Sequence, residues 1–439
     1  MTAARPLPLT GAVPTPTPLS PVAASEPEPR AKLCSFEVQS FRLFRRERLE
    51  VHPEVTVLVG VNDVGKSTLL EAIRLYGAAQ RNLRRTLTGE DFQGTGDQAV
   101  RFTAEWDVGG ERWKHTLVLD GTRPEERLET RDAFWIWKPR ARLLQTNEGA
   151  FKVEGVSRLA ALAQIDETEW KLDTDLDARI YEPLATARRF RTPPAYLFEP
   201  HALAQPTSAL RTPRRNGLGW AAWLQAIINR RDSGIGELEA ELRALFPHFA
   251  AVRVREIQEL GERQLGFDFL LNEMASRARE KVDKAPRVPR FMVELEVTRD
   301  VQTPDGSTLR VPAERASSGL LLALAHLVLV HATPEAGLLL LEEPENGLNA
   351  RITLDMIRAF LAAVRSRRQQ VVLSTHNAWW LDLVAPESIR VLTRDEQGAH
   401  VHAPPKERLQ ALTAEHDLYP SEVVGTYGPE GLLYLEKKG

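Results

Sequence analysis

The chain has 439 residues, 43% of them hydrophobic and 27% charged, and a formal net charge of -3. This composition excludes a chain that is disordered throughout, and the charge is unlike that of a protein that coats nucleic acid. The single cysteine, Cys34, excludes a disulfide framework and a cysteine-based zinc site, and no apolar run reaches about 18 residues, so we expect a cytoplasmic protein without a membrane span.

Residues 1–30 are rich in Pro, Ala, Thr, Ser and Glu and have almost nothing to bury, which predicts a disordered leader. The alternating pattern in residues 33–51 predicts two strands. The apolar run Val55–Val59 predicts a short buried strand that leads directly into glycine. The folded part of the chain is therefore expected to begin with strands.

A helix is expected to begin near Lys66. An antiparallel β layer should follow it, because two alternating runs flank Gly109-Gly110 as they would in a hairpin. We assign residues 31–150 to the N-terminal half of an α/β domain that contains this layer. Residues 151–289 mix helical periodicity with proline-punctuated links, which predicts an inserted helical lobe that forms a lid.

The strand pattern returns at Phe291, and strands and helices then alternate. Strands are predicted at 337–342, 370–374 and 388–394, and helices at 319–331 and 350–368. This alternation is typical of the second half of an α/β sheet, which we place at residues 290–405, with a helical tail at residues 406–439.

The segment from Gly60 to Ser67, GVNDVGKS, fits the pattern GxxxxGK[ST] between a predicted strand and a predicted helix, which is the context of a phosphate-binding loop. Backbone N–H groups of such a loop contact phosphate oxygens. Lys66 is expected to reach the β and γ phosphates, and the Ser67 hydroxyl to bind Mg²⁺. The candidate nucleotide contacts are Gly60, Asn62, Asp63, Val64, Gly65, Lys66, Ser67 and Thr68. ATP and Mg²⁺ are therefore the predicted cofactors.

Four leucines from Leu338 form a predicted buried strand that ends in Glu342 and Glu343, at the strand end where ligands bind in such sheets. Adjacent carboxylates in this position are costly unless a cation or a protic group meets them. Glu342 is the candidate ligand in the Mg²⁺ shell, and Glu343 is the candidate base for a water nucleophile. The alternative is a strand that merely leaves the core into a charged turn.

Two further segments carry candidate residues. The apolar strand from Val371 ends in Ser-Thr-His, and His376 is expected to reach a γ phosphate, although a lone histidine is usually structural. The segment Ser317-Ser318-Gly319 opens an apolar helix, so that hydroxyls and unpaired N–H groups stand where an anion would bind. The alternative for this segment is an ordinary serine N-cap.

The order of these segments resembles that of ABC-type ATPase heads, and in detail the RecF, SMC and OLD-like branch. The resemblance covers residues 33–405 in outline, and its most specific segments are SFRLF, VLVGVNDVGKSTLLEAI, ASSGLLLALAHL, LLLLEEPENGLN and VVLSTHN. It implies an α/β fold, a P-loop NTPase of the ABC ATPase head type, with a mixed sheet, an antiparallel β layer and an inserted helical lobe.

The resemblance also implies that ATP bound to the P-loop of one subunit is completed by Ser317-Ser318-Gly319 of the opposite subunit, so that a homodimer forms through ATP. Arg42 is implied to lie near the phosphates, and Asn349 in the loop that contacts the other subunit. A glutamine that senses Mg²⁺ is implied between the first helix and the hairpin, and Gln93 and Gln98 are both candidates.

The chain departs from its relatives in several ways. The Ser-Ser-Gly segment is shorter than the transporter signature, Glu342 replaces the more usual Asp, and Asn349 stands where relatives often carry His. The stretch after His376 is short and has no DxD pair, so we expect no nuclease in this chain. The inserted lobe is too short and proline-rich for a long SMC coiled coil, which favours a compact head.

Three functions remain open. The first is an ATPase that acts as an ATP-driven switch in DNA repair or anti-phage defence, with DNA and a separate nuclease or effector protein as candidate partners. Four arginine clusters fit either phosphate contacts or plain solvated surface. They are Arg81-Arg84-Arg85, Arg188-Arg189-Arg191, Arg211-Arg214-Arg215 and Arg365-Arg367-Arg368. The second function is an ATP-dependent clamp with little hydrolysis, and the third is the ATPase subunit of a membrane transporter.

Overall fold

The computed structural model describes residues 31–81, 99–119, 124–138, 143–147, 149–152, 195–207, 213–230, 234–260, 287–298, 308–333, 337–407, 409–410 and 418–434. The leader predicted at residues 1–30 and the candidates Gln93 and Gln98 lie outside these ranges.

The strands, in chain order, are β1 (Ala31–Phe41), β2 (Phe44–Glu50), β3 (Val55–Val59), β4 (Val100–Val108), β5 (Glu111–Leu119), β6 (Pro124–Glu129), β7 (Phe134–Lys138), β8 (Leu143–Thr146), β9 (Gly149–Lys152), β10 (Ala195–Tyr196), β11 (Phe249–Leu260), β12 (Arg287–Thr298), β13 (Thr308–Pro312), β14 (Leu338–Glu342), β15 (Gln370–Ser374), β16 (Ile389–Asp395) and β17 (Gly398–His402). The helices are α1 (Lys66–Arg81), α2 (Pro200–Ala204), α3 (Trp220–Asn229), α4 (Gly234–Leu245), α5 (Ser318–Ala332), α6 (Ala350–Ser366), α7 (Trp379–Leu383), α8 (Pro420–Tyr427) and α9 (Gly431–Tyr434).

These strands form three sheets. An antiparallel layer has the order β2-β1-β4-β5-β6-β7-β8-β9. The central sheet has the order β10-β14-β15-β3-β16-β17 and is parallel apart from β17 at one edge. β11, β12 and β13 form a third, antiparallel sheet. The mixed α/β fold with an antiparallel layer, predicted from the sequence, is therefore confirmed.

The predicted hairpin joins β4 to β5. Val108 pairs with Glu111, so the connection has two residues, Gly109 and Gly110. Both glycines have positive φ, 64° and 93°. A two-residue type I′ turn needs positive φ at both positions, which glycine adopts without strain.

The central sheet separates two hydrophobic cores, because successive residues of a strand face opposite sides. In β14, Leu339 and Leu341 pack in the core that contains α3, α4, α5 and α6. Leu338 and Leu340 pack in the second core, with α1 and the antiparallel layer. The apolar run of β14 is therefore explained by burial on both faces.

Helix α5 is buried from Leu320 to His331 and is apolar on every side, as expected of a helix inside a core. Its N-terminal end reaches the surface, where the exposed N-cap Ser317 accepts a hydrogen bond from the N–H of Leu320 (3.3 Å). Among the described residues, no helix is both long enough and apolar enough to cross a membrane.

The interpretation of residues 151–289 as a helical lid is wrong for part of that range. The expected helices are present as α3 and α4, but Phe249–Leu260 forms the long strand β11. Its alternating pattern is a strand signal: Val252 is buried, and the Arg253 guanidinium pairs with Glu296 on β12 (2.6 Å). Helices α3 and α4 also share a core with α5, so they belong to the head itself.

Gln370 joins the central sheet to the antiparallel layer. Its buried side chain donates from Nε2 to the carbonyls of Leu33 (2.8 Å) and His52 (2.9 Å). Its Oε1 accepts a hydrogen bond from the N–H of Leu33 (3.0 Å). A buried polar group that loses its partner costs about 1–3 kcal/mol, so this side chain holds β1 in place.

We expect Gln370→Ala to lower the free energy of unfolding by about 2–4 kcal/mol, because it leaves the backbone groups of Leu33 and His52 unpaired. Gln397→Ala, in the exposed turn between β16 and β17, is the matched control and should change it by less than about 0.5 kcal/mol. Urea unfolding followed by circular dichroism measures both. Equal effects of the two substitutions would show that Gln370 does not join the layers.

Candidate functional site

The candidate residues gather at one edge of the central sheet. Strands β14, β15 and β3 are parallel neighbours, with Glu342 beside Ser374 and Ser374 beside Leu58. The carboxyl ends of parallel strands lie at the same edge, where ligands bind in open α/β sheets. The acidic pair (Glu342 and Glu343), the histidine segment (Thr375 to Asn377) and the P-loop (Gly60 to Ser67) therefore meet although they are far apart in sequence.

The P-loop is tightly packed against β16. A Cβ at Gly60 would lie 2.7 Å from the backbone oxygen of Leu392 and 2.8 Å from Val64. Asp63 and Gly65 have positive φ, 61° and 108°, which turns the chain sharply into α1. The first N–H groups of a helix have no partner within it, and such groups bind phosphate. The loop therefore has the shape and the donors of a phosphate cradle.

Lys66 is buried at the start of α1. Its Nζ donates to the carbonyls of Gly60 (2.8 Å) and Val61 (3.0 Å). Burial lowers the pKa of Lys66, while the nearby Glu343 and Asp63 carboxylates oppose the shift. The ammonium group is therefore held by the loop itself, close to the carboxylates at the sheet edge.

A cleft of about 910 Å³ opens at the P-loop. It is lined by Leu43, Asn62, Asp63, Gly65, Lys66, Ser67, Thr68, Glu343, His376 and Arg394. All of these except Leu43 and Arg394 were predicted from the sequence as site residues. A small-molecule pocket has about this volume, and a hydroxyl, an ammonium group and carboxylates suit a nucleotide with Mg²⁺. Gly60 and Val64 do not line the cleft, and Val64 is buried in the core.

Glu343 has a backbone conformation that is rare outside glycine, with φ 45°. Its N–H donates to the carbonyl of Ser374 (2.8 Å), and its carbonyl accepts from the N–H of Asn346 (2.9 Å). Its carboxylate lies 3.1 Å from His376 Nε2. Strained residues of this kind cluster at functional sites. The acid and the histidine thus form one polar pair in the cleft.

Glu345 ties the acidic loop, residues 343–349 between β14 and α6, to the histidine segment. Its Oε1 accepts hydrogen bonds from the Thr375 hydroxyl (2.6 Å) and from the N–H of His376 (3.3 Å). Its Oε2 accepts from the indole N–H of Trp380 (3.1 Å), a fully buried side chain. A carboxylate with three donors fixes the segments that carry them. Glu345 therefore positions His376, a role that the sequence analysis did not assign.

Glu342 ends β14 and is nearly buried. The Arg215 guanidinium donates to its Oε2. Glu342 does not line the cleft, in contrast to Ser67 and Glu343. Glu342, the predicted Mg²⁺ ligand, is therefore paired with Arg215, which lies between β10 and α3.

Arg42 lies in the turn between β1 and β2 with φ 47°, and its guanidinium lies over the Phe41 ring, 5.0 Å from the centroid. The next residue, Leu43, lines the cleft, whereas Arg42 does not. The implied contact of Arg42 with the phosphates therefore stays a prediction.

The Ser317-Ser318-Gly319 segment does not line the cleft of its own chain, and both serines are exposed. A Cβ at Gly319 would lie 3.6 Å from Leu348, so the segment adjoins the acidic loop. The next residue, Asn349, is exposed and caps α6, with Oδ1 accepting from the N–H of Ile352 (3.0 Å). The segment and Asn349 therefore lie at one surface.

Arg394 was missed because it has no local sequence signal, and Leu43 because the SFRLF segment indicated Arg42 instead. Arg394 is near the end of β16 and donates to the carbonyl of Asp63 (3.3 Å). Its approach to the P-loop depends on β16 being the neighbour of β3, which spacing along the chain does not reveal.

We expect Gly60→Ala to weaken nucleotide binding by about tenfold or more, because the new methyl group would push the P-loop away from Leu392. A fluorescent ATP analogue measures the dissociation constant. Gly236→Ala in α4 is the matched control, since a Cβ there meets nothing within 4 Å, and it should leave binding unchanged. Binding by Gly60→Ala as tight as in the control would contradict the packing argument.

Residues 55–378, more than half of the chain, match the protein family described as "AAA domain, putative AbiEii toxin, Type IV TA system". The chain is also similar to the DNA replication and repair protein RecF of Anaeromyxobacter sp. (strain Fw109-5), with 34% identity over 110 residues. That match covers 22% of this chain and 28% of the relative, so it spans less than a third of that protein's length.

Two solved structures are similar at low identity. An SMC head bound to the C-winged helix domain of ScpA has a TM-score of 0.46 and 11% identity, and the match covers 84% of this chain and 97% of that one. The SMC head domain from Thermotoga maritima has a TM-score of 0.40 and 12% identity, with 85% and 98% covered.

Proposed function

The chain belongs to this AAA-domain family, and we propose that it binds and hydrolyses ATP as an ABC-type head of the RecF and SMC-like kind, acting as an ATP-driven switch in DNA repair or anti-phage defence. The observation that carries the proposal is the cleft in which Lys66, Ser67, Glu343 and His376 lie together. A bound phosphate chain needs a cation, and hydrolysis needs a base near the γ phosphate. Lys66 and Glu343 in this cleft are the proposed cation and base.

In the proposed mechanism, the P-loop amides and Lys66 bind the phosphates. Ser67 and Glu342 would hold Mg²⁺, which supplies charge neutralisation on the phosphate oxygens when it is bound. Glu343 orients the attacking water and accepts its proton, and His376, 3.1 Å from the Glu343 carboxylate, donates to the γ phosphate oxygens.

The position of the serine segment supports the proposed homodimer through ATP. Ser317 and Ser318 are exposed at the start of α5 and away from the cleft of their own chain. Their hydroxyls and the helix N-terminus suit a phosphate presented by another molecule. We therefore assign this segment to the cleft of a second copy, where it completes the site.

DNA and a separate nuclease or effector protein are the proposed partners, and the cytoplasm is the proposed location. The similarity to RecF supports the DNA partner. Of the arginine clusters, Arg84, Arg85, the cluster at 188–191 and Arg211 lie outside the described residues. Arg365 pairs with Glu54 (3.3 Å), and Arg367 donates to the carbonyl of His331 (3.3 Å), so these two have contacts within the chain.

We expect Lys66→Ala and Glu343→Gln each to lower Mg²⁺-dependent ATP hydrolysis by about a hundredfold or more, because they remove the phosphate cation and the base. Glu343→Gln should still bind ATP and should accumulate as a dimer in size-exclusion chromatography with light scattering. Faster ATP hydrolysis by the wild type in the presence of double-stranded DNA would support the proposed ATP-driven switch that acts on DNA.

The second candidate function is an ATP-dependent clamp with little hydrolysis. The position of Glu343 in the cleft argues against it, because a clamp that does not hydrolyse ATP needs no base. ATP binding and dimer formation by the wild type without turnover would favour the clamp and remove the assigned role of Glu343. The ATPase subunit of a membrane transporter is the weaker alternative, because Ser317-Ser318-Gly319 in this chain is only a fragment of the transporter signature.

Mixing two inactive variants tests the shared site. We expect an equal mixture of Lys66→Ala and Ser318→Arg to recover about a quarter of the wild-type hydrolysis rate, since half of the randomly formed dimers have one intact site. A mixture of Lys66→Ala with Glu343→Gln is the control, because both residues come from the same subunit and no intact site can form. Equal rates in the two mixtures would contradict the shared site.

A further inference from the structure

Arg215 was expected at a solvated surface or on DNA, yet it contacts the acid assigned to the metal. Its Nη2 donates to Glu342 Oε2, and the Glu342 side chain is only 8% exposed. We propose that the Arg215 guanidinium competes with Mg²⁺ for the Glu342 carboxylate. Through this competition Arg215 sets the Mg²⁺ concentration that nucleotide binding requires. This inference rests on the proposed function, in which Glu342 serves Mg²⁺.

The backbone of Arg215 is held at the edge of the central sheet. The N–H of Leu197 donates to the carbonyl of Arg215 (3.0 Å), and the N–H of Glu199 donates to that of Asn216 (3.1 Å). Leu197 directly follows β10, which is the neighbour of β14. The two strand ends therefore place Arg215 beside Glu342, so the contact is fixed by the fold.

The turn after Arg215 is also fixed. The N–H of Gly217 donates to the carbonyl of Arg214 (2.9 Å), and Gly217 has φ 93°. A Cβ at Gly217 would lie 2.5 Å from Leu203 on α2, so the turn packs directly against this helix. The backbone that carries the guanidinium is therefore well anchored, although the side chain itself is half exposed.

Glu342 is within electrostatic reach of two cations of this chain, Arg215 and Lys66. The guanidinium already occupies one carboxylate oxygen and offsets the negative charge. A divalent cation near the same carboxylate would be repelled by the guanidinium and would find fewer free lone pairs. Removing the Arg215 charge should therefore strengthen the binding of Mg²⁺ at Glu342.

The experiment titrates Mg²⁺, starting from EDTA, into purified full-length protein with a fluorescent ATP analogue, and reads binding without turnover. We expect Arg215→Ala to lower the half-saturating Mg²⁺ concentration by about three- to tenfold, with unchanged binding in EDTA. Arg215→Gln, which keeps a hydrogen-bonding side chain without the charge, should act in the same direction. Arg214→Ala is the matched control at the exposed neighbouring position and should behave as the wild type.

If the wild type requires Mg²⁺ for nucleotide binding, and both Arg215 variants have an unchanged or raised half-saturating Mg²⁺ concentration, the inference is wrong. A wild type whose nucleotide binding is independent of Mg²⁺ would overturn both this inference and the metal role proposed for Glu342. The two failures are therefore distinguishable. Urea unfolding of each variant shows whether it is folded, and Arg215→Gln decides the question if Arg215→Ala is not.

Discussion

The parallel pairing of β14, β15 and β3 is the constraint on which the site depends. Each strand is buried along its whole length, and the candidate site residues lie at its carboxyl end or just beyond it. Parallel pairing brings the three ends to one edge of the sheet. The P-loop, the acids and the histidine segment therefore meet without any direct link in sequence.

Placing several carboxylates at the end of buried strands is unfavourable unless each has partners. In this protein the partners differ: Glu342 is bound by Arg215, Glu343 lies beside His376, and Glu345 accepts three hydrogen bonds. The partners come from separate segments of the head. These contacts therefore fix the relative positions of the segments, and the residues proposed for the chemistry also contribute to the stability of this edge.

The sequence predicted the strands, helices and cleft residues that local patterns encode, such as the glycines of the P-loop and the leucines of β14. It did not predict Arg394, Arg215 or the role of Glu345, because their positions depend on which strands are neighbours and on contacts across long chain separations. It also misassigned β11, where alternation was present but the helical periodicity of the preceding segment dominated the interpretation.

Helix α5 connects two distant parts of the head. It has 15 residues and so spans about 22 Å, from the exposed serines to the far side of the core. At that far end, the carbonyl of His331 accepts from Arg230 (3.4 Å), and the carbonyl of Val330 accepts from the amide of Gln369 (2.8 Å), just before β15. Close packing on all sides leaves the helix little room to bend. It therefore forms a stiff connection between the exposed serines at its start and Gln369, the residue just before β15.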